Sequence, residues 1–127
     1  MAQIQSHNTF TEVKDHIQKG RILSKGAELT IDSSGESITV TDSYHLVDTY
    51  DDASSDDLKT INGGKQAGQI LVLQAANDGR TVVVHKDDGN VKMAADVTLA
   101  EATDSITLVY NGTNWNLLAS ATAAVPS

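Results

Sequence analysis

The sequence predicts a mainly β protein, either an antiparallel β-sandwich, a jelly-roll-like fold or a β-roll, with a short N-terminal helix or arm. Three observations lead to this prediction. Short windows alternate apolar and polar residues with period two, as half-buried strands do. Clusters of Asn, Asp, Ser and Gly separate those windows and favour turns. The chain is also rich in Thr, Ser, Val and Ile, and β-branched residues suit an extended backbone.

The first predicted element is a β-hairpin over residues 28–41. Leu29-Thr30-Ile31-Asp32 and Ser37-Ile38-Thr39-Val40 place an apolar side chain at every second position. Ser33-Ser34-Gly35 between them has the composition of a tight turn. We therefore expect Ile31, Ile38 and Val40 to point into the core.

Two apolar runs predict a second hairpin, over residues 69–75 and 80–86. Asn77-Asp78-Gly79 joins them, and these residue types tolerate the positive φ of hairpin turns. Ile70-Leu71-Val72-Leu73 and Val82-Val83-Val84 are apolar on both faces. Because a small domain rarely covers both faces of a strand by itself, we expect these seven residues to pack between subunits.

A third hairpin is predicted near the C-terminus, after a short strand at Val91-Lys92-Met93. Ser105–Tyr110 leads through Asn111-Gly112-Thr113-Asn114 into a strand over residues 115–119. Leu108 and Trp115 are its expected core residues. The Asp-rich and Gly-rich stretch over residues 49–68 is predicted to be a linker-like surface excursion.

The two ends of the chain differ from the β region. Phe10, Val13 and Ile17 recur at helical spacing, with Thr9 and Glu12 as a capping box, which predicts a short amphipathic helix. The predicted organisation is therefore an arm or helix over residues 1–20, a β domain over 21–119 and a tail over 120–127.

Composition excludes several classes of function. The chain has 127 residues, a formal net charge of -8 and no Cys. Nucleic-acid binding needs clustered Lys and Arg, so we expect no nucleic-acid partner. The longest clean apolar runs are far shorter than the ~18 residues of a membrane span, and no signal peptide is evident, so no membrane partner is expected.

No pattern of catalytic residues is apparent, so we expect the protein not to be an enzyme and to need no cofactor. The four His show no metal-ligand spacing, and no Gly-x-Ser-x-Gly elbow exists. Gly63-Gly64-Lys65 lacks the other elements of a phosphate loop. Asp51, Asp52, Asp56 and Asp57 supply hard oxygen ligands without the spacing of a calcium loop, so cation binding there stays open.

Three segments share a pattern with known proteins. In chain order, the segments are Gly68-Gln69-Ile70-Leu71-Val72-Leu73, then Asp87-Asp88-Gly89-Asn90, and then Asp104-Ser105-Ile106-Thr107-Leu108-Val109-Tyr110-Asn111-Gly112-Thr113-Asn114-Trp115. This pattern resembles a β-rich virion module of tailed bacteriophages, found in tail fibres, head fibres and capsid decoration proteins. The resemblance covers roughly residues 27–119 and departs from the usual form at Asp88. It implies an architecture and contains no catalytic residue.

The resemblance implies a homotrimer with strands of neighbouring subunits covering one another. A short chain with an arm suits a capsid decoration protein, which would bind the major capsid protein on the exterior of the virion head and stabilise it. On that interpretation Phe10, Val13, Lys14 and Ile17 contact the capsid. The alternatives are a head-fibre, tail-fibre or spike subunit, and a stand-alone glycan-binding or receptor-binding module.

Overall fold

A computed structural model describes residues 24–123, which form eleven β-strands and one 3-10 turn. No α-helix occurs in this part of the chain, and none of its helical segments could span a membrane. The predicted N-terminal helix lies outside the described residues. The elements are β1 (Leu29–Thr30), β2 (Ser37–Thr39), β3 (Tyr44–Asp48), the 3-10 turn (Tyr50–Asp52), β4 (Ser55–Leu58), β5 (Thr60–Asn62), β6 (Ile70–Ala75), β7 (Thr81–Val84), β8 (Val91–Lys92), β9 (Val97–Leu99), β10 (Ser105–Tyr110) and β11 (Trp115–Ala121).

These strands form three sheets. The largest has six strands in the order β1-β3-β6-β10-β11-β8, and the others are β4-β7-β9 and β2-β5. The pairings β1–β3, β3–β6, β2–β5, β4–β7 and β8–β11 are parallel, and the other three are antiparallel. The mainly β prediction is confirmed. The antiparallel prediction is wrong for most pairings, because successive strands enter different sheets.

The parallel pairings arise because the chain winds into stacked coils. The strands β3, β4 and β5 lie in three different sheets and form one coil, which we call the middle coil. The strands β1 and β2 lie beside β3 and β5, and β6 and β7 lie beside β3 and β4, on neighbouring coils. The arrangement is therefore solenoid-like, with each coil packed on the next.

Antiparallel strands complete the C-terminal side of this stack. The strand β9 pairs with β7, β10 pairs with β6, and β11 pairs with β10. The hairpin of β10 and β11, with Tyr110 opposite Trp115, is the one that the sequence predicts. Its second strand continues to Ala121, past the predicted domain boundary at residue 119.

The two other predicted hairpins are wrong. The strands β1 and β2 lie in different sheets, and so do β6 and β7. The chain does reverse at Ser33-Ser34-Gly35, where Asp32 Oδ1 accepts a hydrogen bond of 2.7 Å from the Ser34 N–H. A reversal of this kind leads the chain into another layer as readily as back along its own edge. The stretch 49–68, predicted to be a linker-like surface excursion, contains β4 and β5.

The core lies between the sheets and is made of aliphatic side chains with one indole. In β6, Leu71, Leu73 and Ala75 are buried, whereas the residues between them are half-exposed. Burying such a side chain contributes about 1.5–3 kcal/mol. All five residues predicted for the core are buried: Ile31, Ile38, Val40, Leu108 and Trp115.

One carbonyl group joins the middle coil to the elements that follow it. The oxygen of Ile61, in β5, accepts hydrogen bonds from Asn90 Nδ2 at 2.8 Å and from the indole Nε1 of Trp115 at 3.1 Å. Asn90 Oδ1 also accepts the Ile61 N–H at 2.8 Å. The side-chain amide of Asn90 thus bonds both backbone groups of Ile61, as a neighbouring strand would. In addition, the backbone N–H of Trp115 donates to the backbone carbonyl of Asn90 at 2.8 Å.

This geometry makes Asn90 a stability determinant. We expect Asn90→Ala to lower the free energy of unfolding by about 1–3 kcal/mol, because the Ile61 N–H loses its partner inside the protein. Urea denaturation followed by circular dichroism measures the change. Asn77→Ala is the matched control, since the Asn77 side chain makes no hydrogen bond within residues 24–123, and we expect a change within about 0.5 kcal/mol. Equal effects of the two substitutions would contradict the assignment.

Candidate interaction surface

The buried histidine has a structural role. His45 is fully buried, and its Nε2 accepts the backbone N–H groups of Thr41 and Asp42, each at 3.0 Å. The proton of the neutral ring therefore resides on Nδ1, which lies 2.7 Å from the Ala27 carbonyl and donates to it. The ring needs the space beside Gly26, where a Cβ would clash with His45 Cε1.

Ion pairs connect successive coils. Glu36 meets Lys59 at 2.8 Å, and this hydrogen-bonded carboxylate raises the pKa of Lys59. Arg80 Nη1 lies 2.7 Å from a carboxylate oxygen of Asp48, a residue that is only 7% exposed, and 2.8 Å from Asp52. These charged groups therefore connect neighbouring coils.

A third pair involves the His85 imidazole. Its Nε2 lies 2.8 Å from Asp57, and its Nδ1 lies 3.3 Å from Asp96. The residue follows β7, and its two partners belong to β4 and to the turn before β9. No Ser or Thr hydroxyl is among the hydrogen-bond partners of His85 in the described part of the chain, so this cluster lacks the nucleophile of a hydrolytic triad.

Three of the four acids for which cation binding stayed open, Asp52, Asp56 and Asp57, have local partners. Asp52 pairs with Arg80, and Asp57 with His85. The two carboxylate oxygens of Asp56 accept the N–H groups of Tyr50 and Asp57, each at 2.8 Å. Within residues 24–123, no group of three or more His, Cys, Asp or Glu side chains is arranged to hold a metal ion.

A polar groove of about 330 Å³ lies at the start of β6. Its carboxylate, Asp42, accepts the hydroxyl groups of Thr41 at 2.7 Å and Ser24 at 3.0 Å. These hydrogen bonds, that from Thr41 first, hold the pKa of Asp42 below its usual value. The carboxylate of the groove is thus engaged by hydroxyl groups of the groove's own lining.

Three strands of the six-stranded sheet share an uncharged outward surface, which we call the neutral face; the exposed Lys25, bridged to Tyr44, and Lys92 in β8 lie outside it. It consists of the outward side chains of β3, β6 and β10, all half-exposed. Val72 lies opposite Tyr44 on one side and Thr107 on the other, and Ile70 lies opposite Val109. The members of the neutral face are Tyr44, Leu46, Ile70, Val72, Gln74, Ser105, Thr107 and Val109.

The strand β11 continues this sheet and has an exposed edge. It pairs with β8 at Trp115 and Asn116 alone, so within the described residues nothing pairs with the far side of residues 117–121. We call these residues the free edge. Leu118 at a β-bulge of this strand is 57% exposed.

A buried carboxylate fixes the end of the free edge. Asp104 is 2% exposed and accepts the backbone N–H groups of Ala123 at 2.8 Å, Ala100 at 2.9 Å and Glu101 at 3.1 Å. Burial by itself would raise the pKa of Asp104, but hydrogen bonds from Glu101, Ala123 and Ala100 together lower it. The chain after β11 is therefore held against the sheet by an ionised side chain.

The residues predicted to pack between subunits fall into two groups. Leu71, Leu73, Val82 and Val84 are fully buried within one chain and are not available to another copy. Ile70, Val72 and Val83 are half-exposed on outward faces. The runs are apolar on both sides, but one side of each is already covered by the core of the same chain.

The residues predicted to contact a capsid, Phe10, Val13, Lys14 and Ile17, lie outside the described part of the chain. The neutral face was not predicted as a surface from the sequence, although two of its members, Ile70 and Val72, are among the residues predicted to pack between subunits. Its signal was the absence of charged residues after Asp104, which is visible in the sequence.

Comparison with protein families identifies the family of this chain. A family model described as the phage depolymerase C-terminal beta sandwich domain matches residues 29–116, which is more than half of the chain. The match spans β1 to the start of β11 and therefore includes all three sheets. No curated protein matches the chain.

The Asp104 contacts predict a pH-dependent contribution to stability. We expect Asp104→Asn to lower the free energy of unfolding by about 1–3 kcal/mol near pH 7, since an amide cannot accept all three N–H groups equally well. A lowered pKa in the folded protein stabilises it above the pKa of the unfolded chain, about 3.9, and this contribution disappears as the pH falls through the folded value.

Urea denaturation near pH 7 and at stepwise lower pH measures the difference between wild type and Asp104→Asn. We expect this difference to shrink below about pH 4. Asp88→Asn is the control, because Asp88 is exposed and its nearest cation, Lys59 Nζ, is 3.8 Å away. A difference that stays constant across the acid range would disprove the role of the carboxylate.

Proposed function

Because the chain belongs to the phage depolymerase C-terminal beta sandwich domain family, we propose that it is a structural module of a bacteriophage tail fibre or tail spike. Membership of this family makes the chain a β-rich structural module of phage virions. The family match over residues 29–116 is the observation that supports the assignment to a tail fibre or tail spike.

The family match favours the fibre or spike alternative over capsid decoration. Its description names a depolymerase domain and no head or capsid component. A position on the tail or fibre therefore replaces the capsid exterior as the proposed location, and the major capsid protein is no longer the expected partner.

We also propose that the module has no catalytic activity of its own. The His45 ring is buried and bonded to backbone groups, and His85 lies between two carboxylates. The carboxylates of Asp52, Asp56 and Asp57 bond nearby N–H groups or basic side chains. These side chains stabilise turns and coils, which is the work of a structural part.

The third element of the proposal is assembly into a homotrimer. The half-exposed Ile70, Val72 and Val109 lie together on one uncharged sheet face, and Leu118 is exposed on the next strand. In a monomer this apolar surface stays exposed to water, whereas association removes its apolar area from water, which is favourable.

Immunogold electron microscopy of intact phage particles tests the location. Antibodies raised against the purified chain are expected to label the tail, at few sites per particle. Labelling over the whole head would instead favour the decoration interpretation and contradict the proposal. Antibodies against a known head protein of the same phage serve as the control for access to both structures.

A polysaccharide-cleavage assay tests the absence of catalysis. We expect the purified chain to release no reducing ends from the surface polysaccharide of the phage's bacterial host. Release of reducing ends that is lost in His85→Ala, with the fold retained by circular dichroism, would show that the chain is an enzyme.

A further inference from the structure

We infer that copies of this chain associate through the neutral face together with the free edge of β11, and that the occupant of this surface is a second copy. The inference rests on the proposed homotrimer and assigns the surface that forms it. It also identifies which of the outward-facing apolar residues take part.

The first argument is the distribution of charge. The chain carries 17 Asp and Glu against 9 Lys and Arg, so any two copies repel one another over most of their surfaces. The strands β6, β10 and β11 contain no charged residue, and none follows Asp104 in the sequence. This side of the sheet is where two like-charged copies can approach with least repulsion.

The second argument comes from the opposite example. Val83 also points outward, from the three-stranded sheet, but its cross-strand neighbours are Asp57 and Thr98. Asp96 lies close by, against His85. A copy docking on Val83 would have to desolvate these carboxylates, which is costly for ionised groups. The face around Val83 therefore stays in solvent.

The third argument is the free edge itself. Natural edge strands are usually protected from pairing by Lys, Pro or inward charges. Residues 117–121 have none of these and present Leu118, Ala119 and Ser120 to solvent. Their small side chains allow another backbone to approach, so a second chain can extend the sheet while covering Leu118.

The chemistry of the surface favours a second copy over other occupants. Nucleic acid or an acidic polysaccharide would require clustered cations, whereas the neutral face has none and the exposed Lys25 and Lys92 lie singly, beside Tyr44 and in β8. A sugar would require an aromatic side chain with free polar groups beside it. The hydroxyl of Tyr44 already donates to Gln74 Oε1 at 2.6 Å.

Light scattering coupled to size-exclusion chromatography, together with sedimentation velocity, tests this surface on the full chain. We expect wild type to be a trimer and Leu118→Glu to dissociate at concentrations at least about tenfold higher than wild type, because three like charges would meet at the contact. The matched control is Tyr50→Glu. Tyr50 is 50% exposed, similar to Leu118, but lies in the 3-10 turn.

Thermal melting of each variant checks the fold, and Leu118→Ser replaces Leu118→Glu if the latter does not fold. Dissociation by the Leu118 variant but not by Tyr50→Glu supports the inference. A trimeric Leu118→Glu overturns the assigned surface and leaves the trimer intact. A monomeric wild type overturns both the surface and the proposed trimer, while tail labelling in the immunogold experiment still tests the location independently.

Discussion

The carbonyl oxygen of Ile61 is the point on which the fold depends, because the stacked coils and the closing hairpin meet there. It accepts one hydrogen bond from the Asn90 side chain and one from the Trp115 indole. The strand β8, which begins directly after Asn90, has only two residues and pairs with β11 rather than with β5. Asn90 therefore supplies from its side chain the ladder that backbone would otherwise provide. The arrangement lets the chain leave the solenoid path and finish as a hairpin.

The parts of this fold that could be predicted from sequence are those set by local chemistry. Alternation placed Ile31, Ile38 and Val40 in the core, and the Asn-Gly turn placed Tyr110 opposite Trp115. The parallel pairings could not be predicted, since the same turn residues serve a hairpin and a crossing between layers. Whether a turn gives a hairpin or a crossing depends on the strand with which the following segment pairs. For β2 that strand is β5, over twenty residues away along the chain.

The proposed contact surface has the same mixture of local and distant causes. The uncharged C-terminal segment can be seen in the sequence, but Ile70 becomes part of the surface only because β6 pairs with β10 and sets it opposite Val109. The apolar residues around it could not be sorted by sequence alone. Val72 and Val83 occupy similar runs, and what distinguishes them is a neighbour on another strand, Thr107 in one case and Asp57 in the other.

Charge placement connects stability with assembly in this protein. Glu36 with Lys59, Asp48 with Arg80, and Asp57 with His85 each join one coil to the next. Exposed pairs of this kind contribute little individually, but a carboxylate as buried as Asp48 requires its partner. The strands β6, β10 and β11 contain no charged residue and take part in none of these pairs. A surface formed in this way costs the chain none of its internal ion pairs, so association and folding do not compete for the same residues.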